Sequence, residues 1–139
     1  MPQTRHLGRL QLADLVLDTR PVCAHTTASD ALWAGVPVLT CPGDTFVSRV
    51  AASVLQAAEL PELIAADLAE YESIARELAH DRQRLDALKS RLAHNLGECP
   101  LFDSVRYTRD LEELFARMHE RCLRGLAPDH LGALADHGR

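Results

Sequence analysis

The hydrophobic pattern of this chain changes period several times in its first half and settles into a single period in its second. Leu7, Leu10 and Leu12 suggest a short helix over residues 6–13, which leads into the apolar run Leu15-Val16-Leu17. That run reads as a strand stopping at Asp18-Thr19, and a polar loop carrying His25 follows. From Thr26 the spacing of Ala31, Leu32 and Ala34 predicts a helix. Thr26 is its N-cap or first-turn residue, and Ser29 and Asp30 lie in its first turn, where hydroxyl and acidic side chains answer free N–H groups. Gly35-Val36-Pro37 closes it, and Trp33 is expected to cover the sheet or a neighbouring helix.

A second strand over residues 38–41 ends in the turn Pro42-Gly43. Asp44-Thr45 then caps a helix with a buried stripe of Phe46, Val47, Val50, Ala51, Val54, Leu55 and Ala58, broken by Leu60-Pro61. Residues 62–65 are a short candidate third strand. Beyond them the period is helical. Leu68, Tyr71, Ala75 and Leu78 form one stripe, with Glu72 and Arg76 four apart on its wet side. Asp81 opens a further helix with Leu85, Leu88 and Leu92, and residues 99–102 form an extended connector. A long helix from Asp103 carries Tyr107, Leu111, Leu114, Phe115, Met118 and Cys122, with Glu113–Arg117 and Glu120–Arg124 supporting its outer face. Periodicity fades after Arg124. One domain over residues 1–124 and a flexible tail over 125–139 are therefore expected.

Strands alternating with helices, each connection long enough for a crossover, predict an α/β fold: a parallel sheet with helices on both faces. Patterned elements begin within a few residues of Met1, which suggests a piece of a larger protein.

Composition narrows the function classes. A chain of 139 residues suits one modest domain, and with only 4% aromatics its core must come from Leu, Val and Ala. The net charge of -5 and the lack of a basic block argue against nucleic acid as a partner. Cys23, Cys41, Cys99 and Cys122 are scattered with no CxxC, so buried or incidental thiols are expected rather than a metal site. His80, His94, His119, His130 and His137 share no ligand spacing. With no secretory leader and no apolar run approaching ~18 residues, a cytoplasmic protein with no membrane partner is expected.

In a parallel sheet, ligands sit beyond the C-terminal strand ends, where loops enter helices. Two such loops occur, at residues 18–28 and 41–45. In the first, Thr26 and Thr27 beside free backbone N–H groups could cradle a diphosphate, and Asp30 one turn on could take two ribose hydroxyls. The competing explanation is that the threonines only cap the helix and Asp30 only answers its dipole. His25, before a helix N-terminus, is expected as a neutral hydrogen-bonding imidazole. His6 taken alone is a surface residue. In the second loop Gly43-Asp44-Thr45 could assist an anion, but a turn plus N-cap is the simpler explanation. No GxSxG, P-loop or GxGxxG occurs.

The run HTTASDALWAGVPVLTCPG with FVSRVAASVL closely resembles the C-terminal catalytic half of the O-linked N-acetylglucosamine transferases and their SPINDLY relatives, glycosyltransferase family 41. The resemblance extends from ADLVLDT through CPLFD and RYTRDLEELF to PDHL. It implies the C-terminal lobe of a GT-B glycosyltransferase, a Rossmann-like parallel sheet with flanking helices, truncated on its N-terminal side. It also implies that His25, Thr26 and Thr27 contact the nucleotide and diphosphate, that Asp30 holds the ribose, and that His6 and Arg9 lie against the uridine nucleotide. The implied donor is UDP-N-acetylglucosamine, a substrate, with no cofactor and no metal. The implied acceptor is a protein Ser or Thr, presented by a first lobe and a tetratricopeptide region that have no counterpart here. The usual catalytic histidine and lysine are likewise without counterpart, so no catalytic residue is assigned. Gln3 stands where members carry a lysine, which alters base recognition. Fucose-transferring relatives share the scaffold. The alternatives are a nucleotide-binding module or an inactive remnant without transferase activity of its own.

Overall fold

β1 (Val16–Leu17) and β2 (Val38–Leu39) pair in parallel, with Val16 opposite Val38 and Leu17 opposite Leu39. The structure is a computed structural model and describes residues 2–131. Before β1 lies α1 (Gln3–Leu10), and between the strands α2 (Thr26–Trp33) makes the crossover that parallel pairing requires. A 3-10 turn (Phe46–Ser48) and α3 (Val50–Ala57) follow β2. A second 3-10 turn (Pro61–Leu63), α4 (Leu68–His80), α5 (Arg82–Asn95) and α6 (Ser104–Leu123) complete the order. Two compact units result, residues 1–102 and residues 103–139.

In the first unit the core is aliphatic, as the low aromatic content requires. Leu32 of α2, Val38 and Leu39 of β2, Leu55 of α3, Leu78 of α4 and Leu92 of α5 are all buried. α2 buries Ala28, Ala31 and Leu32, the i, i+3, i+4 face of a helix, and lies against α1 and α3. It ends where Gly35 takes φ +79, with Gly35 N–H donating to Leu32 O at 2.9 Å and Val36 N–H to Ala31 O at 2.9 Å. α3 ends by the same pair of bonds, but its left-handed residue is Glu59, at φ +59. The carbonyl of Ala58 there takes the buried Asn95 side-chain amide at 3.0 Å, which ties α5 to α3. Asp14, just before β1, receives Lys89 at 2.9 Å and Arg82 at 3.2 Å from α5. The Lys89 hydrogen bond and charge, helped by Arg82, hold its carboxyl below the usual range.

Several patterned expectations need correction. The first helix occupies Gln3–Leu10, earlier than the leucine spacing suggested. The third strand is reduced to a single parallel bridge, Thr40 opposite Ile64. Pro61 starts a 3-10 turn directly before it, so only the Thr40 N–H to Leu63 O and Ala65 N–H to Thr40 O bonds form. The helix expected from Phe46 to Ala58 is divided at Arg49, with φ -116. The connector at 99–102 is a pair of turns, with Leu101 N–H bonded to Ala57 O at 3.0 Å. Trp33 is 54% exposed and packs edge-on against Phe102 at 5.0 Å. α5 matches its leucine pattern, whereas α4 buries Ile74 and Leu78 and leaves Leu68 of its expected stripe exposed; Glu72 pairs with Arg76 at 2.5 Å. Cys23, Cys41 and Cys99 are buried free thiols, while Cys122 is exposed.

The second unit is α6, capped by Asp103, which accepts the Arg106 N–H at 2.8 Å. It closes at Gly125, φ +65. Arg121 then bonds Ala127 O at 2.8 Å and Asp129 at 3.2 Å. Residues 132–139 of the expected tail, including His137, lie outside the described residues.

Candidate functional site

The loop leaving β1 is drawn closed by the side chain that begins it. Asp18 Oδ1 accepts the N–H of Thr19 at 2.8 Å and of Ala24 at 2.7 Å, and Oδ2 accepts the Thr40 hydroxyl at 2.5 Å. Thr40 is buried at the end of β2. The carbonyl of Asp18 accepts the Tyr71 hydroxyl from α4 at 2.9 Å. Burial, followed by the nearby Asp18 and Cys41, raises the Tyr71 pKa, so the phenol stays a neutral donor. Within the loop the Thr19 hydroxyl donates to Val22 O at 2.9 Å, and Cys23 N–H donates to Val47 O at 2.9 Å in the next loop. The buried Cys23 sulfur accepts the Ala51 N–H at 3.3 Å, at the start of α3.

This loop delivers α2 with an open N-terminus. His25 is the N-cap, at φ -114 and ψ -94, and no side chain caps the helix. The His25 carbonyl takes the N–H groups of Ala28 and Ser29. Its imidazole turns towards Val47 O, 3.4 Å away, and meets Phe46 edge-on with ring centroids 6.3 Å apart. Thr26 and Thr27 are both exposed, in the first turn as the pattern predicts. N-capping by Thr26 is therefore corrected: its place is the first helical residue. A cleft of about 590 Å³ opens here, lined by the end of β1, the loop, His25, Thr26 and Thr27.

His6, Arg9 and Asp30 form a second group beside the first. His6 Nε2 lies 3.3 Å from Asp30 Oδ2, and Arg9 Nη2 lies 3.4 Å from His6 Nδ1. For Arg9 to donate to Nδ1 and His6 to donate to Asp30, the imidazole carries its proton on Nε2. Asp30 is three residues beyond Thr27 and four beyond Thr26, so all three share one face of α2. His25, Thr26 and Thr27 line the cleft, whereas His6, Arg9 and Asp30 do not.

The second loop behaves differently. Thr45 and Ser48 form a capping box: Thr45 N–H donates to Ser48 Oγ at 3.1 Å, and Ser48 Oγ–H donates to Thr45 O at 2.8 Å. Gly43 N–H reaches Ser48 O at 3.3 Å, and a Cβ at Gly43 would sit 2.9 Å from Ser48 Oγ. The turn-plus-cap explanation holds here. Sequence reasoning passed over Asp18, Thr40 and Tyr71. An aspartate at the C-terminal end of a strand was the only local signal. Among the described residues, no three His, Cys, Asp or Glu side chains gather into a metal site, and no helix is long and apolar enough to cross a membrane.

The model of glycosyl transferase family 41 matches residues 1–111. A probable UDP-N-acetylglucosamine–peptide N-acetylglucosaminyltransferase of Arabidopsis thaliana is 40% identical over 134 residues, 95% of this chain and 14% of its own. A UDP-N-acetylglucosamine–peptide N-acetylglucosaminyltransferase of Caenorhabditis elegans is 41% identical over 127 residues, 91% of this chain and 11% of its own. The solved K341M variant of the Thermobaculum terrenum O-GlcNAc transferase superposes with a TM-score of 0.83 at 35% identity, over 90% of this chain and 24% of that one. The chain thus spans no more than a quarter of any of these three.

Proposed function

The chain belongs to glycosyl transferase family 41, and on that premise we propose that it is the UDP-sugar-binding lobe of a protein O-GlcNAc transferase. Its fold is the α/β, Rossmann-like lobe of a GT-B glycosyltransferase. The lobe comprises residues 1–124, with 125–139 as a tail, and works in the cytoplasm with a first lobe and a protein acceptor.

In the whole enzyme, N-acetylglucosamine passes from UDP-N-acetylglucosamine to a Ser or Thr hydroxyl with inversion and without a metal ion. The bond between the anomeric carbon and the β-phosphate oxygen breaks, and its electron pair leaves with the phosphate. The acceptor oxygen takes its place at carbon, and its proton goes to a base outside this chain. The task left to these residues is to stabilise the leaving group. Fixed N–H dipoles at the start of α2 and the hydroxyls of Thr26 and Thr27 meet a phosphate whose charge grows as the bond breaks, so they favour the transition state over the ground state. His25 contributes to the nucleotide contact, Asp30 to the ribose, and His6 and Arg9 to the uridine side.

The observation that carries this reading is the first turn of α2: exposed hydroxyls beside a cleft, at a helix start that no side chain caps. Calorimetric titration with UDP tests it. Weak binding is expected, with no transfer by the chain alone. Thr27→Ala and Asp30→Ala each weaken binding by roughly 1–2 kcal/mol if they contact ligand. No heat and no thermal shift at millimolar UDP would overturn the assignment.

A further inference from the structure

We infer that Asp18 is the positioning residue of the cleft, fixing where Thr26 and Thr27 are presented to a nucleoside diphosphate. The ligand named here rests on the nucleotide reading above; the positioning itself rests on hydrogen bonding within the chain.

Asp18 Oδ1 holds both ends of the loop, the N–H of Thr19 and the N–H of Ala24 six residues along. Ala24 immediately precedes the N-cap His25, so the carboxylate sets the point from which α2 starts. The other oxygen is held by the hydroxyl of Thr40, and the backbone carbonyl by Tyr71. Asp18 is therefore braced from β2 and from α4 while it grips Ala24. Three of the carboxylate's roughly four acceptor positions are filled by the protein itself. Those donors also turn their positive ends toward the carboxylate, which offsets the repulsion it would otherwise exert on a diphosphate. With its N–H committed to Asp18, Ala24 is not free to swing away, and His25 keeps the backbone angles that leave the first turn of α2 uncapped.

A residue that merely stabilised the fold would change melting without changing ligand affinity. Two variants separate these roles. Asp18→Ala removes the grip, while Asp18→Asn keeps an oxygen able to accept from Thr19 and Ala24 and discards the charge. In the full chain, Asp18→Ala should bind UDP about tenfold more weakly, the worth of one charge-assisted hydrogen bond. Asp18→Asn should recover most of that affinity. Amide hydrogen exchange without ligand should show the Ala24 N–H exchanging faster in Asp18→Ala and near the native rate in Asp18→Asn. If Asp18→Ala does not fold, Thr40→Val removes only the brace on Oδ2 and should give a smaller change in the same direction. UDP affinity and Ala24 exchange both unchanged in a folded Asp18→Ala or Thr40→Val would overturn the inference, whatever happens to melting. Absence of UDP binding by the unmodified chain refutes the nucleotide reading instead. The exchange measurement then decides by itself whether Asp18 positions the loop.

Discussion

The loops that leave β1 and β2 start side by side at the ends of neighbouring parallel strands, and each leads into a helical turn. Yet they treat the start of that turn in opposite ways. After β2, the Ser48 hydroxyl bonds both the N–H and the carbonyl of Thr45, and Gly43 lies so close that a Cβ there would force the Ser48 side chain to shift. After β1, the hydroxyls of Thr26 and Thr27 are exposed and cap nothing, and Asp18 holds the loop rather than the helix start. One loop completes its own hydrogen bonding. The other leaves donors available and is held in that state by Thr40, Val47 and Tyr71 from elsewhere in the chain. Two loops at equivalent positions thus divide into a self-satisfied turn and an open site. The division is visible only when each donor is followed to its acceptor.

The largest effect on stability is expected on the self-satisfied side. Ser48→Ala removes a buried hydroxyl that both accepts from and donates to Thr45, and should cost about 2 kcal/mol in urea unfolding with UDP affinity unchanged. A loss of affinity equal to that of a cleft variant would erase the contrast between the loops.

Tyr71→Phe comes next, at about 1 kcal/mol, because the Asp18 carbonyl loses its donor. The raised pKa of Tyr71 gives this difference a definite pH course. A group whose folded value exceeds its unfolded one contributes fully below the ordinary tyrosine value and loses that contribution as the pH climbs through the raised one. The gap between wild type and variant should therefore persist through neutral pH and close only in alkali. Closure on the acid side would contradict the assignment.

The smallest effect is the most diagnostic. Thr26→Ala should leave unfolding within ~0.5 kcal/mol of wild type, since an uncapped helix loses no cap, whereas removing a true cap typically costs ~1 kcal/mol. The same substitution should weaken UDP binding.

Much of the frame was legible in the sequence because it is written in local spacing. Leu85, Leu88 and Leu92 place α5, Gly35 stops α2, and Asp81 and Asp103 cap where capping residues should. The position of Thr26 and Thr27 in a first turn was legible for the same reason. What local spacing could not carry was competition and distance. Asp30, expected in the first turn of α2, is its fifth residue and lies beyond that turn, and nothing nearby in sequence reveals that it faces His6. Asp18 reads as a strand stop because its partners Thr40 and Tyr71 lie 22 and 53 residues away. The third strand failed for a different reason: Leu63, Ile64 and Ala65 have the right composition, but the turn set by Pro61 leaves the segment only one bridge.

The separation of Asp18 and Tyr71 also has a consequence in time. A chain made from its N-terminus exposes the β1 loop 53 residues before the tyrosine that braces it. During that interval Asp18 can reach Thr19 and Ala24, and then Thr40, but its carbonyl has no phenol to accept. Synthesis therefore makes the partners of Asp18 available in a fixed order: the local N–H groups first, the Thr40 hydroxyl next and the Tyr71 phenol last.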